Sequence, residues 1–176
     1  MYYPIMMQGK QINALVVGGG KVGYRKCKTL LEAGAQVTVI APTLNKEFLT
    51  LINQYPEQLT VQWSKFHPKF LNRPYHLVFA ATNSKEVQTR IHLHCRAKGL
   101  LCNDTANGKK SDFINCLYTE TEEVVLAFST KGNGPKILQE MKEDFQDRYE
   151  KQWAKRVREY GEERRSRLRR GEQACT

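Results

Sequence analysis

The 176-residue sequence predicts an α/β fold: a parallel sheet with helices on both faces, followed by a small strand-rich region and a C-terminal helical segment. Three observations predict it. Short apolar runs alternate with stretches of helical period from Ile12 to Asn103, the rhythm of successive β-α-β units. The first run, Leu15-Val16-Val17, breaks into Gly18-Gly19-Gly20-Lys21-Val22-Gly23 and then into a helix, so Gly18, Gly20 and Gly23 have the dinucleotide-binding spacing in its required context. After Asn107 the rhythm changes to two adjacent strands and one long apolar helical stripe. The sheet is therefore expected to be of the Rossmann type.

Taken in order, Tyr2 to Met7 is an aromatic and apolar start that could add a short strand or clamp. Ile12 to Val17 is a buried strand, rich in β-branched residues and bounded by glycine. A helix from Lys21 to Ala33 places Cys27, Leu30 and Leu31 on one face, and Gly34 ends it. On another face Lys21, Arg25 and Lys28 line up. Cations near a helix N-terminus oppose the macrodipole, so these are either well solvated or close to an anion, which a bound pyrophosphate would supply. Gln36 to Ile40 is the second strand and completes a right-handed β-α-β unit.

Asn45 to Tyr55 reads as a helix with Phe48, Leu49, Leu51 and Ile52 as its apolar side, and Leu59 to Trp63 as a strand. His76 to Ala81 is a fourth strand running into Thr82-Asn83-Ser84, where open α/β sheets bind ligands and where Ser84 can cap the next helix. That helix covers Lys85 to Lys98 and is closed by Gly99; Leu100 to Asn103 begins the fifth strand. Phe113 to Tyr118 and Glu123 to Ser129 form a hairpin, too small to stand alone, that should pack on the main domain or pair with a second copy. Pro135 starts a helix whose stripe, Ile137, Leu138, Met141, Phe145, Tyr149, Trp153, Val157 and Tyr160, is broken by Gly161; Glu162 to Arg170 is then a short basic helix. The expected domains are residues 1–110 for the nucleotide, a strand-rich region over 111–145 and a basic helical segment over 146–176.

Composition narrows the function classes. Forty per cent hydrophobic residues support a real core, and no apolar run is long enough to span a membrane. Met1 to Met7 lacks a preceding basic region and is too short for a signal-peptide core, so the expected location is cytoplasmic. The five cysteines (Cys27, Cys95, Cys102, Cys116, Cys175) form no C-x-x-C pair and read as reduced, mostly buried thiols. Of the net charge of +10, residues 148–170 carry +6, from ten Lys or Arg against four Glu. Such a segment suits an anionic partner or a solvated face. No aromatic-interleaved or helix-turn-helix pattern supports nucleic acid. No metal site is expected: His92 and His94 face apart on a helix, and His67 and His76 sit near turns.

The expected cofactor contacts are Gly18, Gly19, Gly20, Lys21, Val22 and Gly23, with Pro42 and Thr43 after the second strand and Ala81, Thr82 and Asn83 after the fourth. The acid that holds the ribose hydroxyls of NAD is missing after Ile40, so the residues alone leave NAD and NADP open.

The sequence resembles the precorrin-2 dehydrogenase family, which also forms the N-terminal module of siroheme synthases. The resemblance covers most of residues 2–145. It rests on Tyr3-Pro4, Val16 to Val22 with Arg25-Lys26, Leu31 to Ala35 with Val37 to Pro42, Ala80 to Asn83, Cys102-Asn103, Asp112 to Ile114, and Ser129-Thr130 with Gly132 and Pro135. It implies an NAD-dependent oxidation of precorrin-2 to sirohydrochlorin by a homodimer, with residues 111–145 as its dimerisation region and Asn103 and Thr130 as candidate substrate contacts. The substrate carries eight carboxylates, which would give the basic charge a purpose. Iron insertion by the same chain, a separate chelatase, and a non-catalytic NAD- or tetrapyrrole-binding protein are the alternatives.

One position departs from the family pattern. Ala106 stands where bifunctional members carry a catalytic aspartate. Asp104, two residues earlier and on the same side of an extended strand, could substitute from roughly 7 Å along the chain, or serve only as a turn residue. The loss weakens metal insertion, which needs a group to take pyrrole protons, more than hydride transfer, which depends on placement.

Overall fold

Five short apolar segments form the parallel sheet of the computed structural model, which describes residues 1–171: β1 (Asn13–Val17), β2 (Gln36–Ile40), β3 (Leu59–Gln62), β4 (Leu77–Ala80) and β5 (Leu101–Asp104). Their order is β3-β2-β1-β4-β5, with β1 paired to β2 on one side and to β4 on the other. Strand alternation sorts the side chains into two cores. Val16, Val39 and Phe79 face α1 (Lys21–Glu32) and α2 (Phe48–Gln54), whose Cys27, Leu30, Leu31, Phe48 and Leu51 bury against them. Leu15, Val17, Val78, Ala80 and Cys102 face α3 (Lys85–Lys98) through Ile91 and Cys95. The predicted three-layer parallel fold is what the chain adopts.

Local chemistry sets the boundaries. Ser84 Oγ accepts from the Val87 amide at 3.3 Å and starts α3, and Gly99 ends it in the left-handed region. Before β1, a 3₁₀ turn at Gly9–Gln11 seats Gly9 against the Ala33 backbone, where a Cβ would collide with the Ala33 carbonyl. Tyr2 to Met7 form no strand; they are exposed and extend from this turn. The helix expected from Asn45 begins at Phe48, and Leu49 is 64% exposed because only Phe48, Leu51 and Ile52, at steps of three and four, share the inward side of so short a helix.

The chain divides into one unit of residues 1–114 and a second beginning at Asn115. In the second, β6 (Leu117–Glu120) and β7 (Val125–Phe128) pair antiparallel. Helix α4 (Pro135–Arg148) packs on them: Phe145 meets Phe128 edge-on at 5.7 Å, and Gln146 Nε2 donates to Thr119 Oγ1 at 2.7 Å. A π-turn at Tyr149–Trp153, where the Ala154 amide donates to the Tyr149 carbonyl, leads into α5 (Ala154–Arg169). The stripe explains this turn. Met141, Phe145, Tyr149 and Trp153 recur every four residues, which drifts about 40° per step at 3.6 residues per turn; a wider turn takes the drift back. Tyr149 is thereby buried, its hydroxyl donating to Glu123 Oε2 at 3.4 Å.

Gly161 does not break the helix. Alpha5 runs through it to Arg169, carried by helix-favouring Arg and Glu on either side and by the Lys155–Glu159 and Arg167–Glu163 pairs at 3.8 Å each. Among the described residues, no helix is long and apolar enough to cross a membrane.

Candidate functional site

The order β3-β2-β1-β4-β5 places a topological switch point between β1 and β4, and the loops after β1, β2, β4 and β5 all leave the same edge of the sheet. Backbone hydrogen bonds tie these loops together. The Gly18 amide donates to the Ile40 carbonyl at 2.9 Å, the Ala81 amide to the Val17 carbonyl at 2.8 Å, and the Asn45 amide to the Gly19 carbonyl at 2.7 Å. Thr105 closes the far side, its amide and Oγ1 both donating to the Ala80 carbonyl, at 3.2 and 2.9 Å.

Each glycine of the turn has its own reason. Gly18 sits at φ +129°, a conformation that L side chains rarely adopt, and a Cβ on it would strike the Ala81 carbonyl. A Cβ on Gly23 would strike the Gly18 carbonyl, so this glycine sets how closely α1 lies on the turn. Gly19 is hemmed in by the Thr43 carbonyl and Ala41. Around Gly20 the space is open, so backbone there is accessible to a ligand. Helix α1 starts at Lys21 with no side-chain cap and no acid in its first turn. Its first amides are therefore free of side-chain acceptors and suit a phosphate. A dinucleotide diphosphate fits this cradle.

The sequence-predicted cofactor residues Gly18 to Gly23, Pro42, Thr43, Ala81, Thr82 and Asn83 thus lie on loops of one sheet edge. Pro42, Thr43 and Asn83 are exposed there, and Thr82 Oγ1 accepts from the Ser84 amide at 3.3 Å. Thr130 lies in the second unit, where its Oγ1 accepts from the Gly134 amide at 3.1 Å and shapes the turn into α4. Lys131 in that turn has φ 55°, followed by Gly132 at 89°.

At the end of β5 the chain doubles back along its own edge strand. The Cys102 amide donates to Asp112 Oδ2 and the Asp112 amide to the Cys102 carbonyl, both at 2.9 Å. The Asp104 amide donates to Ser111 Oγ at 2.8 Å, and Asn103 Nδ2 donates to the Phe113 carbonyl at 2.8 Å. This segment satisfies an edge that would otherwise be open, which is why the strand expected from Phe113 begins only at Leu117. Asp104 is buried, and its Oδ1 accepts from the amides of Ala106 and Asn107 at 3.0 and 3.1 Å. The carboxylate therefore caps the turn that ends β5. Sequence reading missed Ser111 and Asp112 as its supports; a polar pair just beyond a strand end was the available signal.

Lys26 is half-buried on the flank of α1, its ammonium 5.6 Å from the Phe79 ring centroid, and burial, with Arg25 next to it, pulls its pKa below the usual lysine value. Lys21, Arg25 and Lys28 are exposed, Lys28 pairing with Glu32 at 3.7 Å. The histidines near turns hold backbone: His76 Nδ1 accepts from the Asn13 amide at 2.9 Å and His67 Nδ1 from the Lys69 amide at 3.2 Å. Cys27, Cys95 and Cys102 are buried as expected. Burial pushes the Cys27 thiol up to about 12, and a hydrogen bond with Cys95, reinforced by burial, raises Cys102. Cys116 is instead exposed, and Cys175 lies outside the described residues.

Known proteins share this arrangement. Residues 5–116 match the family described as "Putative NAD(P)-binding". Siroheme synthase of Nitrosomonas eutropha is 34% identical over 134 residues, covering 76% of this chain and 28% of the relative. Siroheme synthase 1 of Aeromonas salmonicida is 31% identical over 147 residues, covering 82% and 30%. The chain thus spans less than a third of the length of these curated relatives. Among solved structures, SirC, precorrin-2 dehydrogenase, superposes with a TM-score of 0.67 at 29% identity, over 84% of this chain and 71% of that one.

Proposed function

Because the chain belongs to the precorrin-2 dehydrogenase family of NAD(P)-binding proteins, we propose that it oxidises precorrin-2 to sirohydrochlorin with NAD, as a cytoplasmic homodimer. The reaction removes two electrons and two protons from the macrocycle: one hydride goes to the nicotinamide, and one proton is released. When bound, the nicotinamide supplies the hydride acceptor. The rest is placement by this chain. Gly18 to Gly23 and the first amides of α1 hold the diphosphate, Pro42 and Thr43 border the adenosine side, and Ala81 to Asn83 border the nicotinamide side.

NAD is favoured over NADP because residues 41–45, Ala-Pro-Thr-Leu-Asn, offer no arginine for a 2′-phosphate. Asp104 is assigned as the carboxylate that takes the released proton, and Asn103 and Thr130 as substrate contacts. With Ala106 in the place of the family aspartate, iron insertion is assigned to a separate chelatase. The homodimer reading is supported by Ile137, Met141 and Phe145, which stay exposed along α4.

The observation that carries the proposal is the glycine turn at the switch point of a chain that superposes on a precorrin-2 dehydrogenase. Anaerobic incubation with precorrin-2 and either NAD or NADP tests it. NADH absorbance should rise together with the sirohydrochlorin spectrum, NADP should be slower, and folded protein yielding no NADH would overturn the assignment.

A further inference from the structure

Lys26 lies about one and a half turns into α1, on the flank that faces β4. Below its ammonium is Phe79, which packs edge-on with Phe113 at 5.3 Å. Asn103 is the register partner of Phe79 on β5, and Asn103 Nδ2 is fixed by the Phe113 carbonyl. These four residues form one cluster on the α1 side of β4 and β5. Among the described residues, Lys26 has no carboxylate at ion-pair distance and no hydrogen-bond acceptor. An aromatic face replaces only part of the hydration that a half-buried ammonium gives up, so the site is electrostatically incomplete without an anion.

Topology says which anion. The ribose position of a dinucleotide belongs to the end of β2, so the adenosine half of the crevice lies on that side of the switch point. The diphosphate belongs to the first amides of α1, about 7 Å upstream of Lys26 along the helix axis. What remains over β4 and β5 is the nicotinamide and the molecule it oxidises. We propose that Lys26 binds a carboxylate of the substrate on this half of the crevice, with the Phe79 ring beneath the ammonium and Phe113 and Asn103 packed around that ring. The inference rests on the reading of the substrate as a polycarboxylate tetrapyrrole, and it makes Lys26 a specificity-determining cation rather than a contact to the cofactor.

Trace acetylation of the full chain tests this, read by mass spectrometry at Lys26 against the exposed Lys10, which precedes β1 at the opposite edge of the sheet, in the protein alone, with NAD, and with NAD plus sirohydrochlorin. Binding of sirohydrochlorin is followed separately by its absorbance. NAD alone should change the Lys26 signal less than about twofold, and bound sirohydrochlorin should lower it about tenfold. Bound sirohydrochlorin with Lys26 still reactive would overturn the role of Lys26 and leave the proposed function standing. Protection by NAD alone would move Lys26 to the cofactor and also overturn it. If sirohydrochlorin does not bind, both readings fail. Lys26→Met should weaken sirohydrochlorin binding about tenfold at unchanged NAD affinity, and Lys26→Arg should hold it within about threefold; equal affinities in Lys26→Met and the parent would also overturn the proposal.

Discussion

The two units of this chain are stabilised in different ways. In the first, Phe48, Phe79, Leu15, Ile40 and Ile91 are fully buried, and both faces of the sheet carry an apolar core. In the second, Tyr149 and Thr119 are the buried residues among those described, while Ile137, Met141, Phe145, Trp153 and Tyr160 remain exposed on the same helical stripe. A unit that buries so little apolar surface gains little from the hydrophobic effect alone. The comparison teaches that the glycine turn belongs to a unit with a closed apolar core, whereas the helical unit leaves a row of apolar side chains exposed.

The largest break in this contrast is expected from Gly18→Ala. It combines a positive φ with a collision against the Ala81 carbonyl, so it should cost about 3 kcal/mol or more in denaturant unfolding and abolish NAD binding, while the far-UV helix signal of the second unit persists. Met141→Glu comes next. If a second copy covers α4, sedimentation should show the particle mass halved, with NAD affinity unchanged within about twofold because the proposed cofactor contacts all lie on loops of the first unit.

Asp104 sharpens the comparison at the site itself. Asp104→Ala removes the acceptor of two turn amides and should cost about 1–2 kcal/mol of stability, whereas Asp104→Asn keeps an oxygen acceptor and should remain folded. If the carboxylate takes the proton, Asp104→Asn should lower kcat about a hundredfold with little change in KM; an unchanged kcat would reduce Asp104 to its turn. The smallest effect is expected from Gly161→Ala, where a Cβ meets nothing nearer than Arg165 at 3.5 Å. Thermal unfolding should show a gain of about 1 kcal/mol in the second unit alone.

The glycine turn and the parallel sheet were legible in the sequence because they rest on local rules: hydrophobic period, glycine spacing and a serine cap. Leu49 shows where period alone misleads, since a two-turn helix has room for only one narrow apolar side. Gly161 shows the same for a single breaker, outweighed by the helix formers around it. The closure of β5 by Ser111 and Asp112 was not legible, because it depends on the chain reversing over a 3₁₀ turn at Gly108–Lys110, and no periodicity signals which side chains then meet the strand. The half-burial of Lys26 was hidden for a related reason: the cation reads as one more member of a basic helix until the Phe79 ring, packed against Phe113, is found beneath it.

The π-turn at Tyr149–Trp153 makes the long helix tolerant of a change in length at one place. Such a turn holds one residue more than the α-helix it interrupts, so removing a single residue between Tyr149 and Trp153 would let the helix close into regular pitch without a break. Five residues of the wide turn and four of an α-helix sweep nearly the same angle, so the side chains beyond Trp153 would keep their directions to within about 20°. Arg156, 5.4 Å from the Trp153 ring, and Arg158, whose Nε is 4.0 Å from Glu123 Oε1, would keep their neighbours. The same deletion in the regular turns of α5 would instead rotate everything beyond it by about 100° around the axis.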